Sequence, residues 1–162
     1  MVSNGDRTVP TKAFSLALHF LLGVVALVLP GTQAAVAEEL VSVVSDNANW
    51  RSGPGTQYPV EWVLQRGYPL RVIGTRGDWL HVRDFERDEG WIARRLTNDA
   101  PHSVVRVKAA HLRNRPSTGS RILARLDYGE VLRHLEANAD WVKVRRKSGL
   151  RGWVARRLLW GW

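Results

Sequence analysis

The 162-residue sequence predicts an all-β protein made of two tandem, small five-stranded barrels behind a cleavable N-terminal segment. Three observations predict this. A block of about 60 residues occurs twice and aligns without a gap, Trp91 returning 62 positions later as Trp153. Within each block, short runs rich in β-branched residues alternate with Gly, Pro and Asp turn signals, the pattern of a small barrel or sandwich. No stretch beyond residue 38 keeps helical periodicity for three turns.

The N-terminal segment comes first. Arg7 and Lys12 precede an uncharged run from Ala13 to Pro30 whose one strongly polar residue is His19. Pro30 and Gly31 end that run, and Ala35-Val36-Ala37 supplies the small–x–small pattern of a signal-peptidase site. Residues 1–37 therefore read as a signal peptide cut after Ala37, with Ala35 and Ala37 as the recognised small residues. About 18 apolar residues would just span a bilayer; the helix breaker and the cleavage pattern favour removal instead. The mature protein is expected in a bacterial periplasm with no stable membrane span. No cysteine is present, so neither a lipid anchor at the cut nor a disulfide framework is open to it.

The first repeat covers 38–98 and the second 99–162. Strands are expected at Pro69–Ile73 and Leu80–Arg83, and in the second copy at Val131–Leu135 and Val142–Arg145. Turns fall at Gly53-Pro54-Gly55, Arg66-Gly67, Arg76-Gly77-Asp78 and Ser148-Gly149. Ala93-Arg94-Arg95-Leu96 and its copy suit a single 3₁₀ turn. Arg94-Arg95 and Arg156-Arg157 either cap that turn or line an anion site. Successive strand residues face opposite ways. Leu80 and Val82, like Val142 and Val144, then point into the barrel, and Trp79, Trp141, Lys143 and Arg145 point out.

Charge distinguishes the copies. Residues 38–98 carry 8 Arg or Lys against 9 acids, whereas residues 99–162 carry 14 against 5. A split of this kind points to an anionic partner for the second repeat.

Ala48-Asn49-Trp50-Arg51-Ser52-Gly53-Pro54-Gly55-Thr56 resembles the opening motif of bacterial SH3-like domains. Gly67, Asp78-Trp79-x-x-Val82 and Gly90-Trp91-Ile92 fall at that family's middle turn, central strand and closing strand. The second copy matches through His111-Leu112-Arg113, Pro116, Thr118, Gly129, Asp140-Trp141-x-x-Val144 and Gly152-Trp153-Val154. The likeness covers essentially all of the chain after residue 37. It departs at Arg115 and Ser117, where the first copy has Gly53 and Gly55. A left-handed backbone at Arg115 would be costly, so the first loop of the second copy is expected to differ in shape. The resemblance implies an exported module that holds envelope proteins on peptidoglycan or on protein partners.

Candidate ligand-binding residues are Tyr58, Trp79, Arg83, Arg113, Arg115, Trp141, Lys143, Arg145, Arg146 and Lys147. An aromatic ring flanked by cations can stack on a sugar while pairing a carboxylate or phosphate. The same tryptophans also suit packing across the barrel end, and both readings stand at this point. The C-terminal Leu158-Leu159-Trp160-Gly161-Trp162 is expected to dock onto the first repeat. Catalysis is not expected: no thiolate is available, the histidines show no metal-ligand spacing, and Glu86, Asp88 and Glu89 read as a solvated hairpin tip. No cofactor is expected. Two partners fit, a cell-wall glycan (peptidoglycan or lipopolysaccharide phosphates) and an envelope protein. Nucleic acid fits the pI near 11 but not export.

Overall fold

The computed structural model describes residues 39–162, which build two antiparallel sheets of seven strands each. The expected leader and its cut at Ala35 and Ala37 lie outside the described residues. In the first repeat the strands are β1 (Leu40–Val43), β2 (Ala48–Arg51), β3 (Val60–Leu64), β4 (Pro69–Arg76), β5 (Trp79–Arg83), β6 (Glu89–Ala93) and β7 (Thr97–Asn98), ordered β3-β2-β6-β5-β4-β1-β7. The second repeats the plan with β8 (His102–Val105), β9 (Ala109–Arg113), β10 (Ile122–Asp127), β11 (Val131–Ala137), β12 (Trp141–Arg145), β13 (Arg151–Ala155) and β14 (Leu159–Gly161). Its order is β10-β9-β13-β12-β11-β8-β14.

Each sheet has two strands more than the expected five. The additions are short: β1 or β8 ahead of the repeated motif, and β7 or β14 behind the 3₁₀ turn. Runs of two to four residues carry too little alternation to announce themselves in sequence. Both 3₁₀ turns form, at Arg94–Leu96 and Arg156–Leu158. Each is pinned alike: Arg94 N–H donates to the Asp78 carbonyl and Arg156 N–H to that of Asp140, both at 2.8 Å. No helix among the described residues is long and apolar enough to cross a membrane.

Strand alternation places the cores. Leu80, Val82 and Ile92 are buried in the first repeat with Trp50, Leu64 and Leu70; Val142, Val144 and Val154 are buried in the second with Leu112, Leu126 and Leu132. The residues between them, Trp79, His81, Arg83 and Trp141, Lys143, Arg145, keep part of their surface in solvent, as the two-residue period requires. Trp50 is 1 % exposed, and the site of its ring decides a glycine: an added Cβ on Gly90 of the facing strand would lie 1.5 Å from Trp50 Nε1.

The first loop corrects an expectation. The two copies close it with equivalent backbone bonds. Ser52 N–H to Pro59 O and Tyr58 N–H to Gly55 O return as Asn114 N–H to Arg121 O and Ser120 N–H to Ser117 O. Arg115 is not left-handed, and neither is Gly53. Gly53 is small because the Tyr58 ring lies over it, where an added Cβ would come within 2.4 Å. In the second copy Ser120 stands in place of Tyr58, leaving room for the Arg115 side chain. Size has been exchanged across the loop while its shape is kept.

The repeats touch each other. Ser42 Oγ is 3.2 Å from His102 Nδ1, the Tyr128 hydroxyl donates to Glu86 Oε1 at 2.6 Å, and the Phe85 and Tyr128 rings meet at 5.4 Å. The tail does two things. As β14 it pairs with β8 of its own sheet, and Trp160 also lies against the first repeat, 5.7 Å beneath the Arg71 guanidinium.

Candidate functional site

Two kinds of concavity emerge from these elements. The first is duplicated. In repeat 1, Thr56, Asp78, Trp79, Ala93, Arg94 and Arg95 line a recess of about 560 Å³. Their counterparts Thr118, Asp140, Trp141, Ala155, Arg156 and Arg157 line one of about 470 Å³ in repeat 2. Both follow from one local cause: the strand-opening tryptophan leans beside the 3₁₀ turn that the Asp carbonyl holds in place. In repeat 2, Arg156 serves the scaffold, donating to the carbonyls of Ala139 at 3.1 Å and Asn138 at 2.6 Å. Arg157 stays exposed at the rim.

The second concavity is a cleft of about 370 Å³ that draws on both repeats. Arg66 and Gln65 come from the first; His102, Arg133, Arg145 and Lys147 come from the second. It is strongly cationic. Arg66 has Asp46 as a loose partner at 3.8 Å, and Arg146 is held by both oxygens of Glu130, at 2.6 and 3.1 Å.

The candidate residues therefore do not form one patch. Trp141 lies in the duplicated recess, while Arg145, Arg146 and Lys147 lie in the cleft at the other end of β12. Lys143, between them, pairs with Glu136 and sits 5.7 Å over the Trp153 ring. That position is occupied in repeat 1 by His81, stacked on Trp91 at 4.7 Å. Arg83 is paired with Glu89. Arg113 braces the first loop by donating to the Ser120 carbonyl at 2.6 Å, as Arg51 does to Tyr58 at 2.7 Å. Arg115 is exposed beside that loop, and Tyr58 covers Gly53. Sequence reasoning missed Arg66, His102 and Arg133 because the strands that bring them together are distant in the chain.

The acidic hairpin is organised from within. Carboxylate oxygens of Asp84, Glu86 and Asp88 lie within 4.8 Å of one another, close enough in principle for a cation. Asp84, however, is buried and already engaged: it accepts the N–H groups of Glu86 and Asp88 at 2.9 and 3.0 Å and the Tyr68 hydroxyl at 3.1 Å. Ser42 and His102 do not make a nucleophile and base. Ser42 is fully buried, and His102 Nδ1 is shared with the Ala100 carbonyl at 2.9 Å.

Burial holds the pKa values of His102 and His134 below the ordinary 6.5, with Arg133 and Arg145 pressing His102 further down and Arg156 pressing His134. The unfolded chain then takes up protons near pH 6.5 before the folded one does. Their contribution to stability is complete above that value and falls as pH drops through the depressed folded values. Asp84, raised by burial, works in the opposite sense, gaining as pH falls towards 3.8. The thermal midpoint is expected to decline between about pH 7 and pH 5, with a shallower slope in His102→Gln, read by calorimetry across pH.

Comparison with known proteins places the fold. Residues 44–99 and 106–161 each match the bacterial SH3 domain family. The chain is 20 % identical over 124 residues to the "Putative N-acetylmuramoyl-L-alanine amidase YrvJ" of Bacillus subtilis (strain 168), covering 70 % of this chain and 24 % of that protein. It is 39 % identical over 56 residues to the "Probable cell wall amidase LytH" of Staphylococcus aureus, covering 34 % of this chain and 19 % of that protein. The chain thus spans about a quarter or less of these relatives. Among solved structures, NlpC2 from Trichomonas vaginalis aligns with a TM-score of 0.34 at 16 % identity, over 78 % of this chain and 49 % of that one. With both repeats matched, and with two all-β sheets of one topology, the chain belongs to the bacterial SH3 domain family as a tandem pair.

Proposed function

We propose that this protein is an exported, non-catalytic binding module of the bacterial envelope that holds an anionic cell-wall glycan. The observation that carries this reading is the cationic cleft, built where the basic second repeat meets the first. The names of the relatives, an N-acetylmuramoyl-L-alanine amidase and a cell wall amidase by description, agree with a wall-facing role. Exposed cations at a concave surface favour a polyanion, and the separate tryptophan recesses suit the faces of sugar rings.

Co-sedimentation of the purified protein with cell walls tests this. Retention should fall steeply with salt and drop about tenfold when Arg145 and Lys147 are both changed to Gln, whereas Lys143→Gln, already paired with Glu136, should change little. Retention unaffected by ~0.5 M salt, where screening acts within roughly 4 Å, would count against it.

One observation favours a second reading, a protein adaptor. The edge strand β3 exposes Val60, Trp62 and Val63 at 43, 59 and 59 %. An unpaired edge with apolar side chains is a surface for strand addition by a partner. In that case a pull-down from envelope extract, after wall digestion, should recover one stoichiometric protein and lose it with Trp62→Arg.

A further inference from the structure

Strand register sets a row of basic side chains across the second sheet, three of them arginines. His102 of β8 opposes Arg133 of β11, Arg133 opposes Arg145 of β12, and Arg145 opposes Arg151 of β13. Directly opposed residues in an antiparallel ladder share a face, and like charges there destabilise the pairing. The same row in the first sheet reads Leu40, Arg71, Arg83, Glu89. There the Arg83–Glu89 ion pair relieves the crowding. The second repeat puts Arg151 where that acid stood and His102 where the leucine stood.

No carboxylate among the described residues lies within ion-pairing distance of Arg133, Arg145 or Arg151. Acids nearby are committed elsewhere: Asp46, which also lines the cleft, to Arg66, Glu130 to Arg146 and Glu136 to Lys143. Arg133 and Arg145 line the cleft together with Lys147. A packed scaffold had a neutralising acid available at this row and does without it, which leaves the counter-charge to come from outside.

We infer that Arg133 and Arg145, with Lys147 in the same cleft and Arg151 opposite Arg145 on the adjoining strand, form a binding site for a dianionic phosphate group, of the phosphomonoester class. A carboxylate brings one charge and two oxygens, and leaves the row in excess positive charge. A phosphomonoester brings about −1.5 to −2 and three acceptor oxygens, enough for two guanidinium forks and an ammonium at once. This names the chemistry of the cleft proposed above and rests on that reading only for the biological source of the phosphate.

The test uses the purified full tandem protein, with inorganic phosphate, glucose 1-phosphate and glucuronate as probes at matched ionic strength. Titration calorimetry and phosphate-dependent shifts of the thermal midpoint supply two readouts. Both phosphates should bind, with glucuronate at least about tenfold weaker. If glucose 1-phosphate binds more tightly than inorganic phosphate, the source is a sugar-linked group; the reverse order points to the free ion. Arg133→Gln and Arg145→Gln should each weaken binding about tenfold or more.

Arg151→Glu is the decisive variant, because it restores the arrangement of the first repeat and so keeps a foldable sheet. It should raise the thermal midpoint without phosphate and abolish the rise that phosphate produces. Equal affinity for glucuronate and phosphate, or an unaltered phosphate response in Arg151→Glu, would overturn the proposal. Phosphate binding without wall retention would leave this site standing and remove the envelope reading; wall retention without phosphate binding would do the opposite.

Discussion

Replacing Gly90 by alanine is expected to destabilise the first barrel by about 3 kcal/mol or more, at the upper end of what overpacking costs. The new methyl group would occupy a point 1.5 Å from Trp50 Nε1. Trp50 is 1 % exposed and surrounded by Leu64, Leu70, Leu80 and Ile92, so its rigid ring cannot swing away. The indole nitrogen has no hydrogen-bond partner in the core, which leaves packing alone to hold the ring. Urea unfolding followed by tryptophan fluorescence measures the effect. Gly119→Ala is the matched control, since an added Cβ there meets nothing within 4 Å and should shift stability by less than about 0.5 kcal/mol. Comparable losses in the two variants would show that Trp50 is less confined than its burial implies.

Asp84→Ala should be the other severe substitution, costing about 2–4 kcal/mol. One buried carboxylate accepts three bonds, from two backbone N–H groups of its own hairpin and from the Tyr68 hydroxyl. Truncation leaves those donors without an acceptor, and unmade bonds at buried groups cost more than the bonds themselves contribute. Asp84→Asn keeps an oxygen for the two N–H groups and should recover most of the loss. The hairpin also carries Phe85 and Glu86, which meet Tyr128 of the second repeat. Calorimetry of Asp84→Ala should therefore show the two barrels melting in separate steps. A single unaltered transition would mean that the hairpin does not couple them.

Most of the fold was legible because duplication let each motif be read twice. The alternation at Leu80-His81-Val82-Arg83 and Val142-Lys143-Val144-Arg145 placed inward and outward faces correctly, since a strand's period depends only on local geometry. The short strands Leu40–Val43 and Thr97–Asn98 were not legible; they exist because β4 offers β1 a free edge and β1 offers one to β7, which is a tertiary fact. Arg115 misled for a similar reason. A glycine in a turn suggests a backbone requirement, yet Gly53 answers to the Tyr58 ring. Comparing the copies pair by pair, Gly53 with Tyr58 against Arg115 with Ser120, carries that signal.

The candidate site was half visible. Composition showed that the second repeat is cationic, but runs of neighbouring residues such as Lys143–Lys147 mix side chains that the barrel sends to different places. Lys143 and Arg146 spend their charge on Glu136 and Glu130. The change from Glu89 to Arg151 is the one charge reversal in the Arg83–Glu89 rung, and aligning the repeats exposes it without any coordinates.

The contacts that join Ser42 to His102 and Phe85 to Tyr128 set the two tryptophan recesses on a common frame. Such a frame behaves as a ruler. A polymer that reaches both recesses must present matching units at the fixed interval between them, and its second contact forms at the high effective concentration the first one creates. Selectivity would then reside in the periodicity of a ligand as much as in its chemistry, something neither barrel can measure by itself.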